Sequence, residues 1–267
     1  MRVLICKNPD EVGYYSSQQV IAAMKKALAR SGRFVLGLPT GSTPLPLYGN
    51  LITAFYQGEI DFQDVYTFNL DEYVGLPPNH EQSYRYFMVH HFFRFINIPY
   101  QQTFMPNGLA RDVGKECARY ERMVEEMGVD LWVLGMGRNE HIAFNEPGSS
   151  RTSRTRKVAL ALDTIEANAR FFDSPEQVPT EALSAGISTV IDHSREIMLL
   201  ATGKVKAQGV AIALLGPISG WIPASYLREH DSCTFYLDEA AATTFEQVVR
   251  ETGCPSHIEL VDTRKNG

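Results

Sequence analysis

The sequence predicts an α/β fold, an open, mostly parallel sheet with helices on both faces, and two observations carry that expectation. Short apolar runs alternate with longer segments whose apolar residues recur at helical spacing along most of the chain. Several of these runs also end in glycine and then polar, chemically capable residues, which is where open α/β sheets place their ligands. With 267 residues and 44% hydrophobic side chains, the chain can bury a sufficient core without a partner.

Taken in order, Val3 to Cys6 reads as a strand. Asp10 to Arg30 carries Val20, Ile21, Met24 and Leu28 at helical spacing and stops at Ser31-Gly32. Phe34 to Leu38 is a strand, Leu45 to Tyr56 a helix and Val65 to Asn69 a strand. An aromatic-rich helix is expected from Tyr84 to Ile96, a further helix from Val113 to Met127, and a buried strand at Leu131 to Leu134. A strand at Ile197 to Ala201, a helix from Val205 to Leu215, a strand at Cys233 to Leu237 and a helix from Glu239 to about Arg250 complete a Rossmann-like alternation. No linker, repeat or low-complexity tract divides the chain, so residues 1–267 read as a single domain. The alternation lapses between residues 149 and 181, a polar stretch with Arg151, Arg154, Arg156, Lys157 and Arg170. A long insertion beside a reactive loop is expected to form a lid.

Composition narrows the function classes. A net charge of −6 spread along the chain disfavours nucleic acid as a partner and leaves small molecules. No run approaches a membrane span and the first residues lack a signal-peptide core, so a soluble, cytoplasmic protein is expected, with no membrane contact. Cys6, Cys117, Cys233 and Cys254 are widely separated, and neither Cys-x-x-Cys nor His-Glu-x-x-His occurs, so no metal site or disulfide framework is expected.

Four strand ends carry candidate chemistry. After Leu131 to Leu134 come glycines and then His141 and Glu146; imidazole suits proton transfer near neutral pH, and a carboxylate can fix its tautomer. Leu38-Pro39-Thr40-Gly41-Ser42-Thr43-Pro44 lies between a strand and a helix and suits a phosphate, through a close-approaching glycine, two or more hydroxyls and a helix N-terminus. It is neither a Walker loop nor a G-x-G-x-x-G fingerprint, and no cofactor is expected. Phe68-Asn69-Leu70-Asp71-Glu72-Tyr73 offers Asp71 as a base that moves a proton between neighbouring sugar carbons, with Glu72 as an alternative functional partner. Lys206, after Gly203, supplies local positive charge for phosphate; a Schiff-base role would need a desolvated amine.

These residues carry a resemblance. LPTGSTP at 38–44, FNLDEYVGL at 68–76, HIAFNEP at 141–147, SRTR at 153–156 and NARFF at 168–172 make the chain similar to the glucosamine-6-phosphate deaminase (isomerase) family nearly end to end. The resemblance implies cofactor-free conversion of an amino-sugar phosphate, glucosamine 6-phosphate, with water into fructose 6-phosphate and ammonia. It implies Asp71 as the enolisation base, His141 and Glu146 in ring opening, and Thr40, Gly41, Ser42, Thr43, Arg170 and Lys206 in substrate binding. It also implies a homo-oligomer as one option, since some members are hexamers activated by N-acetylglucosamine 6-phosphate. Two departures stand out. Asn139-Glu140 precedes His141 where some members carry Asp-Gly; an Asn cannot neutralise imidazolium, and Glu140 stands where a glycine would tolerate φ > 0. Lys157-Val158-Ala159 places a lysine one position early relative to activated members, so little activation is expected.

Rival readings are a 6-phosphogluconolactonase-like hydrolase, disfavoured by Ile-Ala-Phe-Asn-Glu-Pro after the histidine, and a non-catalytic sugar-phosphate-sensing domain, disfavoured by the retained acid–base residues.

Overall fold

Eight strands pair in parallel throughout, and the reason lies in what separates them: helices long enough to carry the chain back across the sheet. The computed structural model describes residues 1–137, 139–160, 165, 172, 174 and 177–266. The strands are β1 (Arg2–Cys6), β2 (Phe34–Leu38), β3 (Val65–Asn69), β5 (Thr103–Phe104), β6 (Val129–Gly135), β9 (Ser194–Ala201), β10 (Cys233–Asp238) and β11 (Glu259–Asp262). Their order is β11-β1-β10-β9-β6-β2-β3-β5. Chain order runs outward from β2 through β3 to β5, then returns to lay β6 on the other flank of β2. The β2–β6 boundary is therefore a topological switch point, where the following loops diverge and leave a crevice.

The helices are α1 (Pro9–Ser31), α2 (Leu45–Tyr56), α3 (Tyr84–His91), α4 (Val113–Met127), α5 (Ile187–Asp192), α6 (Ala207–Leu215) and α7 (Glu239–Thr252). Local chemistry sets several ends. Asn8 accepts from the Glu11 N–H at the start of α1, Gly32 ends it with φ 68°, and Asp112 and Asp238 cap α4 and α7. Alternate strand residues then feed two cores. Phe34, Leu36, Leu131, Val133 and Met198 pack with α1, α2 and α3 on one face. Val35, Trp132, Leu134, Ile197 and Leu199 pack with α4, α5, α6 and α7 on the other. Among the described residues no helix is long and apolar enough to cross a membrane.

A second sheet was not expected from the sequence: β4 (Asp71–Tyr73), β7 (Arg156–Ala159) and β8 (Glu181–Ser184) pair antiparallel in the order β4-β8-β7. Part of the stretch read as an irregular insertion is thus a strand, because Arg156–Ala159 gains the backbone partners of β8. The helix expected to Ile96 also stops early. Phe92 turns to φ −141°, ψ −63°, and a 3₁₀ turn follows at Phe93–Phe95. Tertiary packing overrides the helical pattern there: Phe92 stacks on Tyr48 at 4.8 Å and meets Phe62 edge-on at 5.6 Å.

Candidate active site

Four neighbouring strands, β9, β6, β2 and β3, deliver the sequence-predicted residues to one edge of the main sheet. Lys206 follows β9, His141 follows β6, Thr40 to Thr43 follow β2, and Asp71 follows β3. Arg170 lies outside the described residues, as do 161–164 and most of 166–176 in the expected lid.

The loop after β6 is tightly built. The Gly137 N–H donates to the His141 carbonyl at 2.9 Å, and the imidazole lies directly on Gly137. A methyl at residue 137 would stand 2.3 Å from Cε1 and Nε2, so glycine is what makes room for the ring. His141 Nδ1 is buried, 3.3 Å from Glu146 Oε2 but off the line of a hydrogen bond. Asn139 Nδ2 donates to that same oxygen. Asn139 therefore holds the carboxylate rather than the imidazole. Below this, Asn145 is fully buried. Its Nδ2 donates to the Ile142 and Ala185 carbonyls, and its Oδ1 accepts from Arg156 at 2.8 Å. The Phe144 N–H donates to Ser184 Oγ at 3.1 Å, so β8 clamps the loop.

The same strand holds Asp71, which pairs with Ser184 across β4 and β8. Asp71 is 8% exposed, and burial, with the neighbouring Glu72 second, pushes its carboxyl up to about 8. An aromatic wall stands beside it. Tyr73 lies 4.9 Å from Tyr84 and 5.8 Å from Phe144 between ring centroids, and burial holds the Tyr84 hydroxyl well above its usual range. Glu72 has a different task. Its carboxylate accepts from the Tyr73 and Tyr84 N–H groups through Oε1 and from the Arg85 N–H through Oε2, tying β4 to the start of α3. Burial raises Glu72 as well, but these three donors oppose the shift. Glu72 is thus a structural clamp between β4 and α3.

The β2 loop is open. Gly41 has φ 96°, Gly41 and Ser42 are exposed, and α2 begins at Pro44 without a side-chain cap. Lys206, in the 3₁₀ turn Lys204–Lys206, donates from Nζ to the Met136 carbonyl at 2.6 Å, which places its ammonium beside the His141 loop. Among the described residues no three His, Cys, Asp or Glu side chains are grouped to hold a metal ion. The β4-β8-β7 sheet and the Arg156–Asn145 clamp escaped the sequence reading. Glu181–Ser184 reads Glu-Ala-Leu-Ser, four residues without the period-2 alternation that would announce a strand.

Comparison with known proteins places this geometry. A glucosamine-6-phosphate deaminase of Giardia intestinalis is 51% identical over 219 residues, covering 81% of this chain and 83% of that protein. A glucosamine-6-phosphate isomerase of Candida albicans is 45% identical over 245 residues, covering 91% of this chain and 98% of that protein. A solved monomeric glucosamine-6-phosphate deaminase, 41% identical, superposes with a TM-score of 0.87 over 91% of this chain and all of that one. A 6-phosphogluconolactonase from Thermotoga maritima shares the fold at 19% identity and a TM-score of 0.71. The model of the glucosamine-6-phosphate isomerases/6-phosphogluconolactonase family matches residues 7–236, and the chain belongs to that family.

Proposed function

We propose that this chain is an enzyme that converts glucosamine 6-phosphate and water into fructose 6-phosphate and ammonia. The observation that carries the reading is the placement of a desolvated carboxyl, a carboxylate-flanked imidazole and a lysine at the ends of adjacent strands. The 51% and 45% identical relatives bear names for this activity.

In this mechanism His141 takes the proton of the anomeric hydroxyl and returns one to the ring oxygen, opening the pyranose, while Glu146 balances the imidazolium. Asp71 then removes the C2 proton, the electron pair flows into the C1 carbonyl, and the C1 oxygen takes a proton from water to give an enolamine. Asp71 returns the proton to C1, water adds to the resulting C2 imine, and ammonia leaves. A base near pKa 8 is well matched to a weakly acidic carbon, being stronger than an ordinary carboxylate. Thr40, Gly41, Ser42, Thr43 and Lys206 hold the phosphate, a group that does not react and serves as a handle. Arg170 joins them by resemblance alone. The part of the 149–181 stretch outside the second sheet is the candidate lid over the bound sugar.

Ammonia release tests the reading, measured across hexosamine 6-phosphates and 6-phosphogluconolactone. Ammonia and fructose 6-phosphate from glucosamine 6-phosphate are expected, with activity retained in chelator. Lactone hydrolysis without ammonia, or phosphosugar binding without turnover, would replace this reading with the lactonase or the sensing domain.

A further inference from the structure

Among the described residues only two that are not glycine adopt positive φ, Glu140 at 61° and Ala143 at 51°, and both lie in the loop that carries His141. A left-handed residue bearing a side chain is held against a local preference, so its surroundings must fix it. They do. The Glu140 carbonyl accepts from the Ala224 N–H at 3.0 Å, and the next residue is tied by Gly137 N–H to the His141 carbonyl. The half-buried side chain lies over the first turn of α6, in space that exists because residue 209 is glycine. A methyl at 209 would stand 2.5 Å from Glu140 Oε1 and 3.1 Å from Cγ.

Among the described residues, the charged groups facing this carboxyl are Lys206, from the turn that leads into α6, and His141 of its own loop, with Glu146 behind the imidazole. The elements packed on it otherwise present Gly209 and the backbone of Ala224. Burial raises the Glu140 carboxyl above the ordinary glutamate range, and Lys206, then His141, pull it back.

We propose that Glu140 sets the affinity of the phosphate seat: it is a built-in counter-charge, seated over Gly209, that weakens the hold of Lys206 on the substrate's phosphate. This rests on the reading of Lys206 as a phosphate ligand. The phosphate is equally present in ground and transition states, so the effect falls on KM more than on kcat. Mild acidification protonates Glu140 before an exposed glutamate and removes its counter-charge from beside Lys206.

The test measures inorganic phosphate affinity by calorimetry and KM for glucosamine 6-phosphate in four proteins: unmodified, Glu140→Gln, Gly209→Ala and Lys206→Ala. Glu140→Gln should tighten phosphate and lower KM by about two- to fivefold, the range for a partly exposed charge pair. Gly209→Ala should shift both in the same direction without removing an ionisable group, because its methyl displaces the carboxyl. The gap between Glu140→Gln and the unmodified protein should close as pH falls. Unchanged phosphate affinity in Glu140→Gln would overturn the proposal, as would a fall in kcat with KM and phosphate affinity unaltered, which would assign the carboxylate to His141. If Lys206→Ala binds phosphate as tightly as the unmodified protein, the underlying role of Lys206 fails instead. Melting curves of the Gln and Ala variants separate these outcomes from misfolding.

Discussion

Asp71 and the Thr40 to Thr43 loop sit at the ends of β3 and β2, which are neighbours in the sheet, yet they are built on opposite principles. Asp71 is enclosed by a second sheet and an aromatic wall, and burial makes its charge costly. The β2 loop faces solvent, with Gly41 and Ser42 exposed. The difference teaches that neighbouring strand ends can offer opposite environments: a carboxyl whose charge is made costly by burial, and a solvated loop of glycine and hydroxyls. The adjacent pair Asp71 and Glu72 repeats the contrast within one strand, since three backbone donors hold Glu72 and burial dominates Asp71.

Removing the carboxylate from the dry end should have the largest effect. Asp71→Asn should lower ammonia release and C2 proton exchange by about 10³-fold or more, with phosphosugar binding retained. Exchange at the unmodified rate would remove Asp71 from its role. In the unmodified enzyme kcat/KM should climb with pH up to about 8, because only the ionised carboxylate is a base. Stability should move the other way. A folded pKa above the unfolded one contributes stability that is full below pH 4 and lost as pH rises through about 8. Asp71→Asn should therefore melt at a higher temperature than the unmodified protein above pH 8, and calorimetry should show that gap vanish near pH 4.

The boundary between the two ends is probed by Gly137→Ala. Its methyl displaces the imidazole without removing a polar group, and kcat should fall about 100-fold with KM nearly unchanged. Steady-state kinetics with an unaltered binding isotherm would establish that the ring position is what was lost. At the wet end, Lys206→Ala should raise KM by about ten- to a hundredfold, the loss expected for a charge-assisted hydrogen bond. A greater effect on kcat than on KM would erase the contrast between the ends.

The smallest effect is expected from N-acetylglucosamine 6-phosphate. Lys157 pairs with Glu181 at 2.6 Å, and Arg154 with Glu121 at 3.1 Å, so both cations are already engaged. Velocity curves with and without the effector should superimpose; a sigmoidal curve made hyperbolic by it would show a working effector site.

The same contrast explains what could be read in advance. Phe34–Leu38, Val65–Asn69, Leu45–Tyr56 and Val113–Met127 match the expected bounds because each is a strongly patterned run between clear stops. β4, β7 and β8 are three or four residues long and exist through one another, so pairing rather than pattern specifies them. Site residues announced themselves as polar groups at strand ends. Their division of labour did not: Glu72 becomes a clamp only because α3 begins 12 residues later, and Asn139 meets Glu146 only after the loop closes.

The position of β1 has a consequence for biosynthesis. Arg2–Cys6 pairs with β10 and β11, so its partners are made more than 220 residues after it. At about 5–20 residues per second, the first strand waits roughly 10–50 s with both backbone edges open. The switch-point strands β2, β3 and β6, by contrast, are all synthesised by residue 135. Nascent chains halted before Cys233 should therefore protect the β2–β6 region from protease while leaving Arg2–Cys6 accessible, and a holdase that binds extended apolar segments should capture that N-terminal strand; early protection of Arg2–Cys6 would show that another segment covers it until β10 arrives.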